Sequence, residues 1–212
     1  MRKPAAVLML VILTLSLLAG CMSPLGRALE REKHLAQADE LDLDEILSES
    51  EGYHFPGLTW NMTIKEIREA TGAPLNAVQG YSEAGEVIYT GDGMLKRLLD
   101  CKNDETCVTV DQDGVGFMVS LVYMNSAEKP VTRPMTLEEL FNQYKEKLKE
   151  KFGEPEEKEA ERDVNGVITS SRTAEWTYTT AQGLTTHLQL AAVYVSTEEQ
   201  TNYISLGFVK DK

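Results

Sequence analysis

Three cysteines carry the sharpest chemical signals in this chain, and their surroundings differ. Cys21 comes directly after Leu17-Leu18-Ala19-Gly20, at the end of an apolar run over residues 5–18 that stands behind Arg2 and Lys3. A cationic start, an apolar middle and small residues at a processing point form the three-part pattern of a secretory signal. Residues 5–18 are also too few to cross a bilayer, which needs roughly 20 apolar residues. Cys101 and Cys107 stand apart from this region, separated by Lys-Asn-Asp-Glu-Thr. In an exported chain such a remaining pair is expected to form a disulfide. Closing so short a loop would contribute about 2 kcal/mol through the unfolded state.

The other reactive side chains do not assemble into a known chemistry. His34, His54 and His187 lie far apart and show no metal-ligand spacing, and no Cys-x-x-Cys pair joins them, so no metal site is expected. No Gly-x-Ser-x-Gly elbow is present, and no catalytic group is nominated. Asp111-Gln112-Asp113-Gly114 opens like a calcium loop, but the third oxygen ligand and the closing glutamate are missing. Asp113-Gly114 therefore reads as a hairpin turn. Trp60, beside a helix start, is either a core plug or a possible partner-binding anchor, with the core favoured. No cofactor is expected.

The small-small-cysteine ending resembles the lipobox of bacterial lipoproteins. That resemblance implies diacylation of the Cys21 thiol, cleavage before it, and retention on a membrane through lipid. No aspartate follows Cys21, which in a Gram-negative cell points to the outer membrane. Two or more acyl chains hold a protein stably where one holds it only marginally. The formal charge is −13; without residues 1–20 the chain has 19 bases against 34 acids, a formal −15. Such a surface repels phosphate backbones and anionic headgroups, so no nucleic-acid partner is expected and membrane contact should run through the lipid.

The elements that must position any site follow from spacing. Residues 1–20 read as a signal peptide, and 21–52 as a lipidated N-terminus with an acidic linker or helix. Residues 53–130 and 131–212 read as two copies of one unit. Met62-Thr63-Ile64-Lys65-Glu66-Ile67 recurs as Met135-Thr136-Leu137-Glu138-Glu139-Leu140, displaced by 73 residues. Each copy carries a threonine N-cap with glutamate three residues on, a capping box, and each helix stops at a Gly-x-Pro sequence. Leu137, Leu140, Phe141, Tyr144, Leu148 and Phe152 form one apolar helical stripe. Strands are expected over 166–179, 184–195 and 202–209 after the second helix. After the first, they are expected near 75–82, 86–90, 108–111 and 115–124, while 94–99 fits neither period. The acids between Glu154 and Glu161 read as a solvated edge. The fold class is α+β, with two helix-plus-antiparallel-sheet units in tandem forming a two-layer sandwich.

Gly57-Leu58-Thr59-Trp60-Asn61-Met62-Thr63, running into a helix that closes on Gly-x-Pro, resembles small envelope lipoproteins of the BamE and OmlA type. The doubling resembles the beta-lactamase-inhibitor-protein fold. These resemblances span residues 57–210 loosely and imply a non-catalytic module that binds other proteins. The functional expectation is a lipid-anchored protein-binding or scaffolding module of the cell envelope with an envelope protein as partner. The alternatives are an inhibitor of an extracytoplasmic hydrolase and, last, an envelope hydrolase.

Overall fold

Both helix starts form as their sequences require. In this computed structural model, which describes residues 39–78, 86–91, 96–98, 101–102, 105–111, 113–114, 116–124, 136–164, 167–195 and 202–211, helix α1 spans Ile64–Thr71 and α2 spans Leu137–Phe152. Thr63 and Thr136 are extended N-caps, and both capping boxes close, with Glu66 Oε2 accepting from the Thr63 amide at 2.8 Å and Glu139 Oε2 from the Thr136 amide at 2.8 Å. Helix α1 ends on Gly72 in the left-handed conformation. Gly153, after α2, also has a positive φ but an extended ψ of −169°, so the chain leaves that helix straight into a strand.

The chain divides into Met1–Gln37, which lies outside the described residues, and Ala38–Lys212, to which everything below refers. In chain order its strands are β1 (Asp39–Glu40), β2 (Leu47–Ser48), β3 (Gly52–Tyr53), β4 (Asn76–Ala77), β5 (Val87–Gly91), β6 (Lys96–Leu98), β7 (Cys101–Lys102), β8 (Glu105–Val110), β9 (Gly116–Met124), β10 (Glu156–Val164), β11 (Val167–Thr179), β12 (Thr185–Val195) and β13 (Tyr203–Lys210). Eight of them form one antiparallel sheet in the order β10-β11-β12-β13-β9-β8-β5-β4. The strands on either side of α2 thus join edge to edge at β9 and β13, where Leu121 faces Leu206 and Val119 faces Phe208. A parallel pair, β1 with β6, and antiparallel β7 make a small second sheet, and β2 pairs with β3.

Alternation along the strands places Val108, Val119, Leu121, Ala174, Trp176, Leu188, Leu190, Leu206 and Phe208 on one face, where all are buried. Against that face pack Leu137, Leu140, Phe141, Tyr144 and Leu148 of α2 and Ile67 of α1. The Tyr144 hydroxyl donates to the Leu98 carbonyl at 2.9 Å, which fastens β6 under α2. The expected apolar stripe is therefore the core face of α2, with Phe152 half-buried at its end.

Residues 39–52 belong to the stretch expected as an acidic linker or helix. From residue 39 onward the segment is a strap built into the fold: Leu41 and Ile46 are 2% and 0% exposed. Lys147 pairs with Glu40 at 3.1 Å, and Lys151 pairs with Asp44, holding the strap along α2. Where the strap crosses β12, the Tyr53 amide donates to Thr186 Oγ1 at 2.8 Å. Gly52, at φ +65°, permits this approach, because a Cβ there would lie 2.2 Å from the same oxygen. The Tyr53 ring meets Phe152 and Tyr178 edge-on at 5.4 and 6.4 Å, and burial pushes its hydroxyl up to about 12. Turns and bends separate the short paired pieces of this segment, so Leu41 and Ile46 reach the core at positions that follow neither strand nor helix period.

Two further segments differ from expectation. Glu156–Val164 is a nine-residue strand where only a solvated acidic edge was expected, so the meander after α2 has four strands. Lys96–Leu98, which fitted neither period, is extended. The Asp113-Gly114 turn forms as expected, with Gly114 at φ +79° and its amide donating to the Asp111 carbonyl at 3.0 Å, while the second half of the strand expected over 75–82 falls outside the described residues beyond β4.

Candidate functional site

The strap and both helices pack on one face of the large sheet. The strand residues between the core positions point to the other face, and on β12 these are Thr185, His187, Gln189, Ala191 and Val193. Alongside them lie Glu175 and Thr177 of β11, Ser205 and Val209 of β13, and Ser120 and Val122 of β9. The centre of this outer face is uncharged. Its charge gathers at the β10–β12 end.

There Glu175 Oε1 accepts from Lys158 Nζ at 3.1 Å and Oε2 from Gln189 Nε2 at 2.6 Å. Burial pushes the Glu175 carboxyl up, but the hydrogen bonds from Lys158 and Gln189, with the positive charge of Lys158, outweigh it and hold the group below the usual carboxylate range. His187 Nε2 lies 3.0 Å from Asp211 Oδ1, and its Nδ1 lies 3.1 Å from Thr177 Oγ1 and 3.7 Å from Glu175 Oε1. A carboxylate, an imidazole and a hydroxyl in series are the parts of a general-base relay. Such a relay also needs donors for an oxyanion, and here the neighbouring β11 and β12 backbones are paired along the ladder, in the plane of the sheet. What the cluster does physically is stitch together four successive strands, from β10 to the end of β13.

The second feature is the sheet edge. The side chains of Glu157, Glu159 and Glu161 share the helix side of β10, since their partners across the ladder are Ala174, Arg172 and Ser170. Glu157 is neutralised by Lys145 and Arg172, both at 2.8 Å, and these hydrogen bonds hold its carboxyl below the usual range. Arg172 also lies 5.1 Å from the centre of the Phe141 ring. Glu159 and Glu161 instead join Glu138, from the first turn of α2, around an open groove of about 510 Å³ whose walls include Ser170 and Tyr194. Burial, then the charge of Glu138, pushes the Tyr194 hydroxyl up.

The residues singled out in the sequence are not brought together. Cys21 and His34 lie outside the described residues. Trp60 is 5% exposed and its indole donates to the Glu51 carbonyl at 3.0 Å, so it is a core residue and the partner-binding role is withdrawn. It walls a small apolar crevice with Phe55, Leu58, Ile67 and Val119. Cys107 is a free thiol, so the bridge expected with Cys101 is not made in this structure. The physical reason is their placement: Cys101 belongs to the β6–β7 ribbon beneath α2, whereas Cys107 pairs with Thr90 and Ser120 on the outer side of β8. Burial, then the charge of Glu105, pushes the Cys107 thiol up to about 11. His187 faces away from the core, between the buried Thr186 and Leu188, and has Thr177, Glu175 and Asp211 as partners. Glu175, Lys158 and Asp211 were not singled out, and only the strand register brings them to it.

Among the described residues no cluster of histidine, cysteine and acidic groups could hold a metal ion, and no helix is long and apolar enough to cross a membrane. No family model, curated protein or solved structure matches the chain.

Proposed function

We propose that this chain is a lipid-anchored, non-enzymatic protein of the cell envelope that binds or scaffolds another protein. The lipobox-like sequence at Cys21 supports the anchor. The observation that carries the binding role is the one-sided build of the domain. Both helices and the strap occupy one face of an eight-stranded sheet, and among the described residues no strand follows β10 at its long edge, where Glu156 through Asp163 are exposed. The domain is further read as two helix-plus-four-strand halves. Supporting this, each capping box is followed by four strands of the large sheet, and the last strand of each half, β9 and β13, meet at its centre.

Crosslinking in intact cells, followed by purification through a C-terminal tag, tests the reading. A reproducible envelope protein is the expected product, and if that protein is a hydrolase whose activity falls on binding, the role narrows to inhibition. Recovery of the chain alone, with a measurable hydrolytic activity, would overturn the reading. For the anchor, Cys21→Ala is expected to release the chain from the membrane or leave it unprocessed; unchanged processing and retention would remove the lipid from the account.

A further inference from the structure

We infer that the outer edge of β10 is where the partner docks, and that the docking element is a basic extended segment added to the sheet as a further strand. This rests on the protein-binding reading above and specifies its surface and partner chemistry. β10 ends the strand order, and Glu156 through Asp163 are exposed. The strand at the opposite edge, β4, has only two residues. Every residue of β10 is in register with β11, which the Glu175 and His187 cluster ties onward to β12 and β13, so the edge is held straight before anything binds. Along Glu156–Arg162, among the described residues, no strand pairs with the outer side. A strand edge offers its outward N–H and C=O groups to an extended peptide, and side-chain rows then set which peptide.

The rows of β10 differ. The helix-side row is acidic: Glu157 is already neutralised, and Glu159 and Glu161 face the groove shared with Glu138, where Arg172 is the cation among three carboxylates and is itself paired with Glu157. The outer row runs Glu156, Lys158, Ala160 and Arg162, with Lys158 paired to Glu156 at 3.4 Å. A second copy of this chain, paired antiparallel through the same edge, would set the acidic rows against each other, and like charges directly opposite destabilise a ladder. A strand with lysine or arginine at alternate positions, and uncharged residues between them, places its cations over Glu159 and Glu161 and keeps cations away from Lys158 and Arg162. The partner is thus specified by pattern and not only by net charge.

That distinction gives the test. The purified chain is titrated with a nine-residue peptide of alternating lysine and threonine, and with a peptide of the same composition whose lysines stand in one block. The alternating peptide is expected to bind roughly tenfold tighter. It should slow amide hydrogen exchange along Glu156–Arg162. Glu159→Lys with Glu161→Lys, both at exposed positions, is expected to remove that preference while leaving the circular dichroism spectrum unchanged. Equal binding of the two peptides, or protection appearing elsewhere, overturns the inference. Photocrosslinkers at Ala160 and at Val193 on the outer face then separate it from the broader reading. Capture of one envelope protein at Ala160 supports both, capture only at Val193 overturns the β10 site alone, and capture at neither overturns both.

Discussion

Ile46→Ala decides whether the strap belongs to the domain. Ile46 is fully buried, in a stretch that composition alone assigns to a linker. The substitution deletes three buried carbon groups at about 0.8 kcal/mol each, roughly 2 kcal/mol of lost transfer free energy. A residual cavity raises the cost to about 3 kcal/mol, because core packing relaxes only in part. In urea, with a slope of about 2 kcal/mol per molar, the unfolding midpoint should fall by roughly 1.5 M with the slope unchanged. Glu49→Ala, at an exposed position of the same strap, is the control and should move the midpoint little. Equal midpoints for the two variants would show that residues 39–52 are not part of the cooperative unit, and the account of the strap would fall.

Gly52→Ala should destabilise far more than Gly57→Ala: both have positive φ, but a Cβ at Gly52 meets Thr186 and one at Gly57 meets open space, and thermal unfolding of the pair compares them directly. Tyr144→Phe removes the donor to the buried Leu98 carbonyl and should cost about 1–3 kcal/mol by denaturant unfolding; no change would mean that water replaces the hydroxyl. Tyr53 has a hydroxyl raised from 10.0 to about 12 in the fold, so its contribution is complete below pH 10 and is lost as pH rises from there through 12. Unfolding measured across that window should show Tyr53→Phe losing less stability with rising pH than the parent chain, and parallel curves would refute the assignment.

The parts legible in the sequence are those whose signals are local. Thr63 with Glu66, and Thr136 with Glu139, announce helix starts because the capping box is complete within one turn. The stripe from Leu137 to Phe152 and the alternation of β12 announce their buried faces through period alone, and that same alternation put His187 on the outer face. β10 stayed hidden because Glu156, Glu157, Glu159 and Glu161 are residue types that strands disfavour. They are tolerated there because an edge leaves their carboxylates in water. Leu41 and Ile46 stayed hidden because a strap of turns and two-residue strands has no period, and buries residues wherever it crosses the core. The partners of His187 needed a register among β10, β11, β12 and the residue after β13, and pairing between distant strands leaves no mark in any short window.

The seam between β9 and β13 has a kinetic consequence. The middle of the sheet is completed only when β13 pairs with β9 across the whole of α2 and β10 to β12, so the strands before α2 leave β9 as an unpaired edge until then. Such long-range pairing makes closure slow, since much loop entropy is lost before the contacts form. Until β13 docks, β9 is a long edge open to any other extended chain, so the centre of the finished sheet is the part of the fold most exposed to mispairing while it forms.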